Sequence, residues 1–358
     1  MNPLKKPVNI SICIAGSRHI PFDRPDQVYR FSQLLDSLRN SGYSLSTDPL
    51  SDWLISINHS KAAYRKFISA GGSAQRAILL RDEPVSVFPS QFETHVENLY
   101  SLVLTPGLTK DLSKKTYFIP WPYEINANPN TPKKTDSDVL AQIQANGFDV
   151  TLNEWTSREN HTVVISSNKV SPKKSVFHEF RRVLAHNAQE LNIRIYGDLW
   201  GGNLKKKVNH RLRVLAFAIR SRSRISIRSI YGHLHWRYQS CGPVDNKFDV
   251  LLNSKMSIVL ENSNSTVSEK IFDVILAGCV PIYVGPNLLS IELPDDIAIQ
   301  CEPDIDSLSH LLKTLSDESI ELIRQRGQNF IRSDKFKTVW SSEEVNSQLY
   351  NLIVQQIG

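Results

Sequence analysis

Apolar runs that alternate with amphipathic helical stretches are the feature that most narrows what this chain can fold into. In the first half VNISICIAG is followed by the helical pattern QVYRFSQLLDSLRNSG, then YSLST, DWLISINH, the helical SKAAYRKFISAGG and the apolar AQRAILLRDEP. LYSLVLTPG and KKTYFIPWP add further strand-like runs. Such apolar strands separated by helices predict a mainly parallel sheet covered on both faces. The second half repeats the pattern: HTVVISSN, the amphipathic SVFHEFRRVLAHNAQEL, NIRIYG, MSIVLEN, SEKIFDVILAG, CVPIYVGP and DIAIQC, then helical stretches to the end. Between the halves the pattern weakens over residues 125–158, where NANPNTPKKTDSD has the composition of a loop.

A chain of 358 residues is long enough for two domains of roughly 150 residues each. The expected fold is therefore α/β, with two Rossmann-like domains facing across a cleft in the architecture called GT-B. The boundaries expected are 1–155 for an acceptor-side domain, 156–335 for a nucleotide-sugar domain, and a last helix over 336–358 free to return to the first. Ligands of such sheets gather at the C-terminal ends of the strands.

Bulk composition excludes several classes. With 41% hydrophobic residues and no low-complexity tract, a largely disordered chain is excluded. The opening MNPLKKPVNISICIAG is interrupted by Asn9 and Ser11, so it reads as a first strand and not as a leader or membrane span. Cys13, Cys241, Cys279 and Cys301 are scattered and read as reduced thiols, not as a disulfide frame or a metal site. The sequons at Asn9, Asn58, Asn160 and Asn264 would need a secretory route, and the expected location is the cytoplasm, with peripheral contact at the inner membrane face as an option.

The formal net charge is +6, and the excess is local. From Lys205 to Arg237 the chain carries many cations and no acid. Such a segment attracts nucleotide phosphates, an anionic membrane face or nucleic acid, and it also serves as a plain solvated helix. His233, His235, Trp236 and Tyr238 cluster at its end, but regularly interleaved aromatics are lacking, so nucleic acid is not the expected partner.

The run from Lys255 to Pro286 carries the chemistry. MSIVL reads as a buried strand that delivers Glu261 and Asn262 at its C-terminal end. Thr266-Val267-Ser268-Glu269 fits a capping box, with Thr266 as N-cap, and Gly278 ends the helix before VPIYVG returns as the next strand. A helix start at a strand-end crevice favours a phosphate, and Lys270 would add a full positive charge. Spacing alone favours a purely structural role for Glu269 and Lys270.

This run resembles the donor-binding motif of the α-1,3-fucosyltransferases, glycosyltransferase family 10. The matching residues are Leu260-Glu261-Asn262-Ser263, Thr266-Val267-Ser268-Glu269-Lys270, and Ala277 through Pro286. The chain has Leu260 where the family has Phe, and Thr266 where it has an aromatic residue. The resemblance implies that Glu269 holds the ribose hydroxyls of GDP, Lys270 pairs with the pyrophosphate, and Asn262 contacts the fucose with Glu261 beside it. Val163 to Asn168 resembles the family's strand end that precedes a pyrophosphate arginine, for which this chain offers Lys173 and Lys174. Glu83-Pro84 resembles the family's catalytic glutamate after a first-domain strand, and an ordinary loop carboxylate is the other reading of Glu83.

The implied activity is an inverting transfer of fucose from GDP-fucose to a glycan hydroxyl, with Glu83 as base, no obligatory cofactor and no metal site. The donor-binding set is Glu261, Asn262, Ser268, Glu269, Lys270, Lys173 and Lys174. A transferase of the same architecture using another nucleotide sugar is the alternative. A nucleic-acid- or membrane-binding protein on a degenerate transferase scaffold is the second.

Overall fold

In the computed structural model of the chain, residues 7–15, 29–107, 115–125, 137–169, 175–201, 204–221 and 238–358 are described. The first elements are β1 (Asn9–Ile14), α1 (Ser32–Asn40), β2 (Ser44–Ser46), β3 (Trp53–Ile57), α2 (Lys61–Ser69) and β4 (Ala77–Leu80). The short α3 (Thr94–Glu97), β5 (Leu102–Thr105) and β6 (Thr116–Phe118) complete the first sheet. There follow α4 (Ser137–Ile143), α5 (Leu152–Thr156), β7 (Glu159–Ile165), α6 (Val176–Asn187), β8 (Ile193–Tyr196), α7 (Leu204–Ser221) and α8 (Lys247–Leu251). The motif run supplies β9 (Ser254–Leu260), α9 (Lys270–Leu276) and β10 (Val280–Val284). The chain ends with β11 (Ile299–Gln300), α10 (Ile305–Thr314), α11 (Asp317–Arg332), α12 (Asp334–Trp340) and α13 (Ser342–Ile357).

Two compact units result: residues 1–124 with 338–358, and residues 125–337. The first holds a sheet in the order β2-β1-β3-β4-β5-β6, and the second a sheet in the order β11-β10-β9-β7-β8. Every strand pairing in both is parallel. Parallel sheets need both faces covered, which explains why β4, β5 and β10 are buried along their whole length.

In the first unit one sheet face packs Ile10, Ile12, Ile55 and Leu80 with Leu34, Leu35 and Leu38 of α1 and Val345, Leu349 and Ile353 of α13. The last helix thus completes the core of the unit in which the chain begins. The other face packs Leu54, Leu79 and Val103 with Phe67 and Tyr100. The second unit centres on Val164, Ile195, Ile258 and Ile282, flanked by Phe177, Phe180 and Leu184 of α6.

The weak pattern before residue 155 is not a linker throughout. Residues 137–156 form α4, one π-helical turn and α5, and Val150 and Trp155 enter the second unit's core. The division between the units falls at Glu124, earlier than the expected 155. The four cysteines are free: Cys279 is buried, Cys13 and Cys301 partly so, and Cys241 is exposed. Among the described residues no helix is long and apolar enough to cross a membrane.

Candidate functional site

Strand order dictates where to look. In the second sheet β7 and β9 are neighbours, the chain leaving β7 for β8 on one side and β9 for β10 on the other. Loops that diverge at such a switch point open a crevice at the strands' C-terminal ends. Asn168, Glu261 and Asn262 follow those ends.

Glu261 is 1% exposed. Its Oε1 accepts 2.9 Å from the Ser268 amide and 3.0 Å from the Ser268 hydroxyl. Lys270 donates 2.8 Å to the carbonyl of Leu260. The expected capping box is not formed. Thr266 shares a 2.9 Å hydrogen bond with Ser263, and α9 starts later, with Glu269 as N-cap and no side-chain cap. The physical reason is the buried Glu261 carboxylate, which takes the Ser268 amide and holds residues 263–268 as a loop. The helix of seven residues is correspondingly short.

The expected helix α6 forms, but the sequence reading did not single out the two arginines that it carries. Its N-terminal turns project from the end of β7, and its buried face includes His178, Arg181 and Arg182 among Phe177, Phe180 and Leu184. Arg181 Nη2 donates 2.7 Å to Asn262 Oδ1, and Ser175 Oγ donates 3.4 Å to the Asn262 carbonyl. Arg182 Nε donates 3.2 Å to Asn168 Oδ1. Arg181 is 5% exposed, and its Nε finds no partner among the described residues. Two arginines and a histidine on the apolar side of a helix were the available signal.

The buried Arg181 and Arg182 and the partly buried Lys270 converge on the buried carboxylate of Glu261, with the charges of Glu179 acting on Arg182 and of Glu269 on Lys270. Burial lowers Arg181 to about 10, opposed by the charge of Glu261, so it remains cationic at neutral pH. Burial pushes Glu261 up and Lys270 down, and each one's charge opposes the shift of the other. Burial, then Arg181, Arg182, Lys270 and Lys169, drives His178 well below the usual imidazole range. Its Nδ1 is buried without a partner among the described residues. The Tyr283 hydroxyl is likewise unpaired, and burial with the Glu261 charge holds it protonated. Three cations and a neutral imidazole gathered at the strand ends suit a polyanion.

Glu83 lies in the first unit, after β4. Asn58, at the end of β3, takes a left-handed φ of 57° and turns its Oδ1 to the amides of Asp82 and Glu83, each at 2.9 Å. Gln91 Nε2 donates to the same oxygen at 3.2 Å and to the Glu83 carbonyl at 2.7 Å. Both backbone polar groups of Glu83 are therefore held, its N–H by Asn58 and its carbonyl by Gln91, while its side chain is partly buried. Beside it His59 Nδ1 lies 2.8 Å from the Tyr100 hydroxyl, and burial lowers His59 to about 4. Of the expected residues, Glu261, Asn262, Ser268, Glu269 and Lys270 gather in the second unit; Lys173 and Lys174 lie outside the described residues.

No family model matches the chain, and no curated protein matches it either. Solved structures do. HepE of Anabaena, in complex with UDP and glucose, aligns at a TM-score of 0.55 and 11% identity, over 98% of this chain and 100% of that one. A glycosyltransferase from Rickettsia africae aligns at 0.52 and 10% identity, covering 99% of each chain. The fold is GT-B. An α1,3-fucosyltransferase aligns at 0.49 and 13% identity, over 98% of this chain and 91% of that one. Within the GT-B fold the crevice at β7 and β9 belongs to the second of the two Rossmann-like units.

Proposed function

We propose that the chain is a glycosyltransferase that binds the diphosphate of a nucleotide sugar at the ends of β7 and β9. The observation that carries this reading is the convergence of three cations at the ends of β7 and β9: Arg181 on Asn262, Arg182 on Asn168 and Lys270 on the Leu260 carbonyl. Transfer of a sugar breaks the bond between the anomeric carbon and the diphosphate, and fixed positive charge stabilises the leaving group as that bond opens. Asn262, held by Arg181 and Ser175, is the proposed contact to the sugar. Glu269 is the proposed ribose partner.

The donor proposed is GDP-fucose, supported by the motif from Leu260 to Pro286. Glu83 is the proposed base: the acceptor hydroxyl oxygen attacks the anomeric carbon, its proton passes to Glu83, and GDP leaves with the bonding pair, inverting the centre. Fixed backbone contacts to Asn58 and Gln91 support that role for Glu83. A UDP-sugar donor is the second reading, favoured by Thr266 in place of the family's aromatic residue and by the UDP complex of HepE.

Isothermal titration with GDP, UDP and GDP-fucose decides between them, repeated with Lys270→Ala and Glu83→Gln. GDP binding that Lys270→Ala abolishes supports the donor site, and preference for UDP moves the donor to the second reading. Glu83→Gln should lower turnover while leaving donor affinity nearly unchanged. A large loss of nucleotide binding in Glu83→Gln would remove its assignment as base.

A further inference from the structure

Helix α7 is inverted relative to a helix on the surface of a water-soluble domain. Such a helix turns its apolar stripe to the core and its charges to water. Here Lys207 faces inward, 1% exposed, with its ammonium 3.3 Å from the Trp200 carbonyl. His210 and Arg211 are half-buried, and Arg211 Nε and Nη2 are buried without partners among the described residues. Outward stand Val208, Leu212 and Leu215, 39%, 58% and 48% exposed. Their spacing of four and three residues sets them on one face, with the exposed Ala216 beside them.

Exposed Lys205 and Arg213 border this stripe, with Lys206, which also pairs at 3.3 Å with Asp198, and no acidic residue occurs from Lys205 to Arg237. An apolar stripe in water over residues 208–216 with cations along its edge matches the boundary between acyl chains and anionic headgroups. Nucleic acid would use the cations and leave the leucines unexplained.

We propose that α7 is a membrane-surface helix. Val208, Leu212 and Leu215 enter the headgroup–acyl boundary of an anionic bilayer, and Lys205, Lys206 and Arg213 meet the lipid phosphates. The helix lies in the plane of the membrane and does not cross it. This inference is independent of the donor reading, because none of its residues belongs to the crevice at β7 and β9.

The test is flotation of the full chain with vesicles of phosphatidylcholine containing about 30% phosphatidylserine, against phosphatidylcholine alone. Binding to the anionic vesicles is expected, weakening as salt rises. The double variant Leu212→Asp, Leu215→Asp should lose it at least ~10-fold, with unchanged thermal melting and unchanged nucleotide binding, since both leucines are exposed. Lys205→Gln, Lys206→Gln and Arg213→Gln together should weaken it by about 100-fold. Absence of flotation by the parent chain, or equal flotation by the leucine variant, overturns the proposal. So does a dimer without vesicles that the leucine variant breaks, which would make the stripe a contact between two copies, or RNA binding indifferent to the leucines.

Discussion

Arg181 donates a 2.7 Å hydrogen bond to Asn262, joining the helix after β7 to the end of β9 where the strand order of the second sheet diverges. A guanidinium can hold that amide and present its remaining donors in a rigid planar fork that matches phosphate oxygens, a geometry that an ammonium lacks. Arg181→Lys is therefore expected to weaken nucleoside diphosphate binding by about tenfold or more despite the conserved charge. Calorimetric affinity equal to that of the parent would remove Arg181 from the diphosphate site.

Replacing Lys270 by Met leaves the Glu261 carboxylate buried beside Arg181 alone. Loss of one partner of a buried pair costs about 3–5 kcal/mol, and the partial exposure of Lys270 brings the expectation to about 2 kcal/mol. The pH dependence has a definite sign. Burial already raises Glu261, and removal of Lys270 raises it further. Stability from a raised carboxyl group is complete below its unfolded range and lost as pH rises through the folded value. Denaturant titrations of Lys270→Met should therefore show a smaller deficit at pH 5 than at pH 8; a deficit independent of pH would contradict the coupling.

Acid should weaken the fold through two histidines. His59 is lowered to about 4 and His178 well below 6.5, while both titrate near 6.5 in the unfolded chain. Their contribution is present above the unfolded value and is lost as pH falls from about 6.5 toward 4. Thermal melts between pH 7.5 and 5 should move downward, and His178→Leu should flatten that slope. An unchanged slope in His178→Leu would show that His178 does not set it.

Asn58→Ala removes the acceptor shared by Asp82, Glu83 and Gln91 and places alanine in a left-handed conformation. The expected loss is about 3 kcal/mol. Turnover should drop more than donor affinity, because the loop that carries Glu83 is in the first unit. Full turnover at a temperature where the variant is folded would separate Asn58 from Glu83.

A Cβ on Gly285 would lie 2.7 Å from the Tyr283 hydroxyl and 2.8 Å from Glu261 Cγ. Both side chains are about 1% exposed and have little room to move. Gly285→Ala should cost about 1–3 kcal/mol and disturb the Glu261 pairing with Ser268. Nucleotide titration and thermal melting of this variant, both unchanged, would mean that the crevice is looser than its packing implies.

Much of the fold was legible because buried parallel strands are written as unbroken apolar runs: MSIVL and VPIYV stand in the sheet as read. The motif residues from Glu261 to Lys270 were legible for the same reason, being tied to the end of one such strand. The capping box failed because a four-residue pattern cannot reveal that a buried carboxylate nearby takes the Ser268 amide and hydroxyl. Arg181 and Arg182 escaped notice because in HEFRRVLAH they look like the polar side of an amphipathic helix, whereas they lie on the side that faces the crevice. Residues 137–156 were hidden by short helices whose apolar contribution is concentrated in Val150 and Trp155.

The return of α13 to the first unit has a consequence for biosynthesis. The ribosome releases Ile10, Ile12, Leu34 and Leu38 long before Val345, Leu349 and Ile353, which cover the same sheet face. The second unit, contiguous in the chain, has all of its strands and core helices in hand first. The first unit must wait, with part of that apolar face uncovered, until α13 has emerged. Newborn chains are thus most exposed to chaperones at their oldest segment, and loss of the last turns would leave that segment without its cover.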